Sequence, residues 1–241
     1  MPSRSSTKQY DAIAPGFYDN VFQRRQGIQS KWHHQKFARV LTELAGYKDI
    51  LDLGCGPGTM IGQLASDVNA IGVDIASKQI DFATNRYGAT NRHFLTIIEN
   101  VPLPFPEKSF DAVSLVEFIE HLRPIESLRL LREVHRVIRP GGKLIITTPN
   151  YHSFWPVLEF VINLVGKVTY EKQHICHYNL CKLRKLIASA GFTQFRVTPF
   201  LFAAPFFAPF GWELADRVAC WEAKHCAKIA GNLLLGIGGK N

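Results

Sequence analysis

ILDLGCGPGT, residues 50–59, places three glycines at alternate positions after a short apolar run that contains Asp52. The run predicts a β-strand, and the glycines predict a tight turn whose backbone, lacking β-carbons, approaches a ligand closely. The spacing is G-x-G-x-G, whereas a turn that binds the pyrophosphate of a dinucleotide has the spacing G-x-G-x-x-G. An acid directly before the turn fits a cationic amine better than it fits a diphosphate.

Apolar runs alternate with helical patterns on both sides of this turn. The runs NAIGVDIA, HFLTIIENV, SFDAVSLVE, KLIITTPN, QFRVTPFLF and NLLLGIG predict further strands. Helices are predicted over residues 10–44, in GTMIGQLAS after the turn, and between most of the later strands. This alternation is typical of an α/β fold with a doubly wound, mostly parallel, seven-stranded Rossmann-like sheet. The last two strands can instead pair in the antiparallel sense.

The overall composition limits the class of protein. The chain has 241 residues, of which 46% are hydrophobic and 20% charged, and this predicts a single globular domain over residues 1–241 with a disordered start at 1–8. Its net charge of +8 favours an acidic small substrate, an anionic membrane face or nucleic acid. Five cysteines without a regular framework favour a cytoplasmic protein with reduced thiols. The sequence shows neither a signal peptide nor an apolar run of about 18 residues.

The second strand ends in Asp74, a position that accepts hydrogen bonds from a ribose diol in nucleotide-binding sheets. Together with this acid, the segments LDLGCGPGT, GVDIA, LPFPEKSFDAV, EFIEHL and LREVHRVIRPGGKLIITTPN resemble the class I S-adenosylmethionine-dependent methyltransferases. The resemblance covers residues 10–192, about three quarters of the chain. It implies S-adenosylmethionine as the cofactor.

The resemblance also implies which residues contact the cofactor. Asp52 and Gly54 would face its methionine moiety, and Asp74 would bind its ribose hydroxyls. Residues implied beside the adenine or near the sulfonium are Glu99, Asn100, Val116 and Glu117. The remaining predicted cofactor-binding residues are Tyr18, Cys55, Gly56 and Ile75.

The motif VEFIEHL at the end of the fourth strand carries Glu117, Glu120 and His121. In a helical turn these spacings put all three side chains on one side, where they would suit Mg²⁺ or Mn²⁺. The E-x-x-E-H pattern resembles ubiquinone-biosynthesis O-methyltransferases and the methyltransferases that cap small RNAs on a 2′-hydroxyl. In both, the resemblance implies a divalent ion that holds the acceptor oxygens. The alternative is that His121 only fixes a loop.

His174 lies in YEKQHICHYNLC and is a candidate fourth metal ligand or general base, because histidine titrates near neutral pH. The predicted catalytic residues are therefore Glu120, His121 and His174.

Two apolar insertions, residues 150–178 and 203–230, follow the fifth and sixth strands. They contain SFWPVLEFVINLVG and PFLFAAPFFAPFGW, or parts of them, and predict an acceptor lid or a membrane-facing patch. Core packing and a homodimer seam are the alternatives. Basic residues nearby favour an anionic lipid surface; they are Lys167, Lys172, Lys182, Arg184 and Lys185.

The sequence thus predicts an enzyme that transfers a methyl group to a hydrophobic small-molecule or lipid-linked acceptor, on a hydroxyl oxygen. We expect it in the cytoplasm, peripheral at the inner membrane face. An RNA acceptor would call for a basic groove with stacking aromatics, and the aromatics here lie in apolar runs, which argues against nucleic acid. The alternatives are metal-dependent RNA 2′-O-methylation and a non-catalytic protein that binds the cofactor.

Overall fold

The computed structural model describes residues 13–98, 102–165 and 174–241. Its strands are β1 (Asp49–Leu53), β2 (Asn69–Asp74), β3 (Arg92–Thr96), β4 (Phe110–Val116), β5 (Ile138–Pro149), β6 (Gln194–Phe200) and β7 (Leu233–Gly239). Its α-helices are α1 (Phe17–Gln23), α2 (Gly27–Leu44), α3 (Ser77–Tyr87), α4 (Pro124–Val137), α5 (Trp155–Val165), α6 (Leu180–Ser189), α7 (Trp212–His225) and α8 (Ala227–Ala230). Short 3₁₀ turns lie at Ile61–Gln63, Ile119–His121 and Ala204–Phe210. The start predicted to be disordered, residues 1–8, lies outside the described residues.

The seven strands form one sheet in the order β3-β2-β1-β4-β5-β7-β6. Strands β1 to β5 pair in parallel, whereas β7 runs antiparallel to both of its neighbours, β5 and β6. The predicted doubly wound, mostly parallel Rossmann-like sheet is confirmed, and so is the antiparallel pairing of the last two strands. The last strand lies inside the sheet, however, and β6 forms the edge.

Both faces of the sheet are covered, which explains why its central strands are apolar on successive residues. In β1, Leu51 packs into a cluster with Leu131 of α4 and Leu183 of α6. Ile50 points to the opposite face, into a cluster that includes Val40 of α2. Removing these side chains from water is the main contribution to the stability of this layered core.

Two predicted helices differ from the structure. The segment GTMIGQLAS forms only the 3₁₀ turn Ile61–Gln63. Gly62 lowers its helix propensity, and close packing requires glycine at this position because a β-carbon would lie 2.4 Å from the Tyr87 ring. The helix predicted over residues 10–44 is divided into α1 and α2. Between them Arg25 has a φ of 49° and Gly27 a φ of 77°, both in the left-handed region, which interrupts a right-handed helix.

The parallel strands bring their carboxyl ends to one edge of the sheet, where a doubly wound fold binds ligands. The insertion after β5 contributes α5 near this edge, and the insertion after β6 contributes the 3₁₀ turn Ala204–Phe210 with α7 and α8. That 3₁₀ turn packs on α2 and α7. Among the described residues, none of the helices combines the length and the apolar character needed to cross a membrane.

Candidate active site

The glycine turn after β1 is held against β2 by two backbone hydrogen bonds. The N–H groups of Gly54 and Cys55 both donate to the carbonyl of Val73, at 2.8 and 3.1 Å. Gly54 has a φ of 73°, and a β-carbon there would lie 2.2 Å from the Phe118 ring. Gly56 has a φ of 50°, and no heavy atom of the described residues lies within 4 Å of the place of a β-carbon. The backbone at Gly56 is therefore open on this side.

Asp74 closes the turn from the end of β2. Its two carboxylate oxygens accept hydrogen bonds from the N–H groups of Gly56 at 2.8 Å and Ala76 at 2.9 Å. Burial raises the pKa of this carboxyl, and the backbone hydrogen bonds partly oppose the rise. A carboxylate offers about four lone-pair sites, so Asp74 retains acceptor capacity for a diol.

Asp52 lies buried at the end of β1, where its Oδ1 accepts a hydrogen bond of 2.7 Å from the Ser114 hydroxyl. Burial raises the pKa of Asp52 to about 7; the Ser114 hydrogen bond lowers it, and the charge of Asp74 raises it. A cation placed beside this carboxyl would restore its charge, because an opposite charge favours the ionised form. The site thus has the electrostatics to bind an ammonium group.

Hydrogen bonds to Asp19 hold helix α1 against the residues that follow this turn. Asp19 is buried, and it accepts hydrogen bonds from the Thr59 hydroxyl at 2.9 Å and from the Tyr87 hydroxyl at 2.5 Å. The neighbouring Tyr18 is half-buried, and its ring meets His33 edge-on at 5.7 Å. Tyr18 therefore sits on an element that the glycine turn itself positions.

Three further predicted cofactor residues, Cys55, Ile75 and Val116, lie along the same edge. Cys55 is buried, whereas Ile75 and Val116 are half-buried at the ends of β2 and β4. Glu99 and Asn100, predicted beside the adenine, lie outside the described residues. The individual cofactor contacts stay predictions.

Glu117 adopts a left-handed conformation, with a φ of 51°, directly after β4. The chain does not begin a helical turn there, so the assumption behind the E-x-x-E-H prediction fails at its first residue. The Glu117 carboxylate pairs with the buried ammonium of Lys36 from α2. Glu117 is thus neutralised by a side chain of the protein itself.

Glu120 is fully buried in the 3₁₀ turn after β4. Its Oε2 accepts a hydrogen bond of 3.0 Å from the Thr148 hydroxyl, while its buried Oε1 has no hydrogen-bond partner among the described residues. Burial, reinforced by the charge of Glu117, raises the pKa of Glu120 to about 8. A buried acid with an unsatisfied oxygen is costly, which is typical of a site that receives a ligand.

His121 and His174 complete a group with Glu120. One ligand atom of each of the three side chains lies within 4.8 Å of the others, and the two imidazole rings are 5.3 Å apart. The backbone brings His174 there, because the carbonyl of Glu120 accepts hydrogen bonds from Ile175 and Cys176, at 2.8 and 2.9 Å. The structure therefore replaces Glu117 in the predicted metal set with His174.

Two residues of the insertion after β5 orient His174. Its Nδ1 lies 2.8 Å from the Tyr151 hydroxyl and 2.8 Å from Oε1 of Glu159, and the Tyr151 hydroxyl donates to Oε2 of Glu159 at 2.9 Å. Burial lowers the pKa of His174 and the charge of Glu159 opposes this, so the neutral imidazole is favoured. Outer partners of this kind fix the ring of a ligating histidine.

Comparison with known proteins connects this geometry to a family. Residues 51–146 match the family described as "Methyltransferase domain". Over 227 residues the chain is 27% identical to the demethylmenaquinone methyltransferase of Symbiobacterium thermophilum, covering 80% of this chain and 88% of that protein. The chain belongs to the S-adenosylmethionine-dependent methyltransferases.

A second relative of this methyltransferase matches over a shorter stretch. It is 34% identical over 114 residues to the 27-O-demethylrifamycin SV methyltransferase of Amycolatopsis mediterranei, covering 45% of this chain and 41% of that protein. The chain spans between 36% and 57% of the length of several other curated relatives.

A solved structure from Thermotoga maritima covers nearly the whole methyltransferase. Described as a SAM-dependent methyltransferase and possible histamine N-methyltransferase, it has a TM-score of 0.70 at 19% identity, covering 98% of this chain and 99% of that one. At this identity the likeness establishes the fold.

Sequence reasoning missed several residues of the methyltransferase site. Lys36 lies in a helix without a motif, 81 positions from its partner Glu117, so no sequence signal could have found the pair. Tyr151 and Glu159 lie in the insertion after β5, two and ten residues beyond its last residue, Pro149. Glu159 interrupts the apolar run SFWPVLEFVINLVG, and this was the only available signal.

Proposed function

We propose that this methyltransferase transfers a methyl group from S-adenosylmethionine to a hydroxyl oxygen of a hydrophobic small-molecule or lipid-linked acceptor, assisted by a divalent ion. The observation that carries the proposal is the group of Glu120, His121 and His174. It lies at the carboxyl end of β4, beside the strand whose end carries the glycine turn.

The glycine turn supports the donor half of this reaction. In this proposal Asp52 pairs with the amino group of the cofactor and Asp74 accepts hydrogen bonds from its ribose hydroxyls. The burial of Asp52 beside Ser114, the contact of Asp74 with the glycine turn and the open side of Gly56 support these roles. When bound, S-adenosylmethionine supplies a methyl group on a sulfonium centre that is already a strong electrophile. The protein has then to align the acceptor oxygen and remove its proton.

The ligand atoms of Glu120, His121 and His174 fit a metal ion. Within the part of the chain that the structure describes, one buried oxygen of Glu120 has no hydrogen-bond partner, and it lies beside two imidazoles whose ligand atoms are within 4.8 Å. Glu120, His121 and His174 would hold the ion. Two imidazoles with one carboxylate favour a transition ion, so Mn²⁺ suits this set better than Mg²⁺. When bound, the ion supplies charge that lowers the pKa of a hydroxyl group.

General base catalysis is an alternative role for His174, instead of metal ligation. When it does not ligate an ion, its neutral imidazole can accept the proton of the acceptor hydroxyl, and the carboxylate of Glu159 at 2.8 Å would stabilise the resulting imidazolium. The Tyr151 hydroxyl hydrogen-bonds to both side chains and so holds the imidazole of His174 beside the carboxylate of Glu159. The buried position of His174 excludes bulk water from this proton transfer.

Two observations support the acceptor class. The segments around the site expose many large apolar side chains, among them Phe154, Phe160 and Phe210. Relatives are named for demethylmenaquinone and for the 27-O position of demethylrifamycin SV, which favours a small molecule, and in the second case an oxygen.

The test uses methyl-labelled S-adenosylmethionine with a lipid extract, a panel of hydroxylated apolar small molecules, and RNA. We expect label in an apolar hydroxylated product, and a loss on the order of 100-fold after EDTA treatment that Mn²⁺ reverses. Glu120→Gln should lose activity similarly, while Glu107→Gln, on an exposed loop, should not.

Each contradictory outcome removes a different part of the proposal. Full activity after EDTA treatment and in Glu120→Gln would eliminate the metal. Label appearing in RNA, with steeply salt-dependent binding, would replace the acceptor. Cofactor binding without label in any acceptor class would leave a non-catalytic binding protein.

A further inference from the structure

The first residues of helix α5, up to Phe160, and Phe154 before it leave large apolar side chains on the outward side. The inward side of α5 carries Trp155 and Glu159, both buried, and Glu159 holds His174. Phe154, Val157 and Phe160, at the spacing of one helix face, are between 60% and 68% exposed. A helix at the surface of a soluble protein normally turns its apolar side inward, so the outward side of α5 is built for apolar surroundings.

A second apolar surface adjoins the first. In the 3₁₀ turn Ala204–Phe210 three phenylalanines are exposed, and Phe210 is 80% exposed. Leu214 and Trp221 continue the exposed apolar residues along α7. The ring of Phe154 lies 6.0 Å from the ring of Phe202, which leads into the 3₁₀ turn, so the two surfaces meet at that point.

Positive charges accompany the exposed Trp221 of α7. Arg217 and Lys224 are exposed and lie on the same face of α7 as Trp221, at helical spacings of four and three residues. Lys228 is exposed on the following helix, α8. An apolar face with interfacial tryptophan and flanking lysines is the composition of segments that lie in the interface of an anionic bilayer.

We propose that these two surfaces, the outward side of α5 and the exposed face of residues 204–228, form one docking surface for an anionic phospholipid bilayer. A second copy of the chain fits less well, because each copy carries a net charge of +8 and the two would repel. An anionic lipid surface instead attracts each basic residue near it.

The docking surface connects to the proposed function through α5. The same short helix presents Val157 and Phe160 outward and Glu159 inward, to the hydrogen-bonded set of Tyr151 and His174. A bilayer that holds α5 therefore also supports the group that orients His174, and an apolar acceptor has a short path from the lipid phase. This last step rests on the proposed function, whereas lipid binding itself does not.

The test is co-sedimentation of the full chain with vesicles made of equal amounts of phosphatidylcholine and phosphatidylglycerol, and with pure phosphatidylcholine vesicles. We expect binding to the anionic vesicles that weakens with added salt. The double variant Val157→Asp/Phe160→Asp should reduce the partition coefficient by about tenfold or more, since charged side chains do not enter the interface with the apolar face. Its control is Phe195→Asp, which changes an exposed aromatic on β6 at the opposite end of the sheet.

A second pair of variants tests the charges. Lys224→Gln/Lys228→Gln should weaken binding by about fivefold per lysine, given the usual contribution of a basic residue near an anionic surface. Lys108→Gln, on the exposed loop before β4, should change binding less than twofold, by about the scatter of such measurements. Titration with S-adenosylhomocysteine serves as the check that each variant is folded.

Several outcomes would overturn the proposal. One is equal loss in the Phe195→Asp control, and another is no preference for anionic vesicles. A wild-type dimer that Val157→Asp/Phe160→Asp converts to monomer, without vesicle binding, would assign the surface to a second copy. Vesicle binding without S-adenosylhomocysteine binding would preserve this inference and remove the proposed function, so the two fail separately.

Discussion

Replacing the buried acid of the glycine turn, Asp52→Asn, tests the electrostatics of the cofactor site in the free protein. The pKa of this carboxyl is raised from 3.8 to about 7, chiefly by burial. Because the folded chain holds the proton more tightly than the unfolded chain, the free energy of unfolding must fall as the pH rises from about 4 to about 7. Above that range the ionised carboxylate destabilises the folded state by its full amount.

The magnitude follows from the difference between the two pKa values. About three pH units correspond to about 4 kcal/mol in total, of which about 3 kcal/mol lies between pH 5 and pH 8. Asn has no charge to lose, and its carbonyl can still accept from the Ser114 hydroxyl. The free energy of unfolding of the variant, relative to that of the wild type, should therefore rise by about 3 kcal/mol between about pH 5 and about pH 8.

Urea unfolding of both proteins at the two pH values measures this change, with Asp81→Asn, an exposed acid on α3, as the control. Cofactor binding gives an independent readout: below about pH 7 the wild type should release a proton when S-adenosylhomocysteine binds, and Asp52→Asn should not. A stability difference between variant and wild type that does not change with pH would refute the reasoning.

Two further predictions concern stability and the open side of the turn. Gly54→Ala should lower the free energy of unfolding by about 2 kcal/mol or more, because a β-carbon adds a clash with Phe118 to the backbone strain. Gly56→Ala should lower it by only about 1 kcal/mol and yet weaken cofactor binding. Chemical denaturation measures the stability and calorimetry the affinity, and equal losses of stability would contradict the geometry. Glu222→Ala should lower the stability by about 3 kcal/mol, measured by thermal unfolding. The buried carboxylate of Glu222 accepts three backbone hydrogen bonds, at 2.8 to 3.0 Å, where the chain enters the 3₁₀ turn Ala204–Phe210. The control Glu213→Ala, at an exposed position, should change the stability by less than about 0.5 kcal/mol. A similar loss in both variants would argue against that role.

The strands of this fold were predictable because each is a short apolar run with a clear end. The strand at Asp49–Leu53 and the glycine turn after it, together with Asp74 at the end of the next strand, predicted the ligand-binding edge. Helices were predicted less well where glycines or tertiary contacts decide. Gly62 lowers the helix propensity of its segment, and its close packing against Tyr87 is a contact between distant residues that no local pattern shows.

The candidate site was predictable only in its acids and histidines. Spacing alone grouped Glu117 with Glu120 and His121. In the structure Glu117 itself adopts a left-handed conformation, and its carboxylate pairs with Lys36. The pairing depends on how α2 packs over β4, which is a tertiary property. His174 joined the group through a backbone contact with Glu120, and no local pattern encodes such a contact.

The most direct test of the central claim is a pair of calorimetric titrations of the purified chain, one with S-adenosylhomocysteine and one with NAD. We expect saturable binding of S-adenosylhomocysteine, weakened about tenfold or more in Asp74→Asn because the diol loses a charged acceptor, and no binding of NAD. Binding of NAD together with indifference to S-adenosylhomocysteine would contradict it.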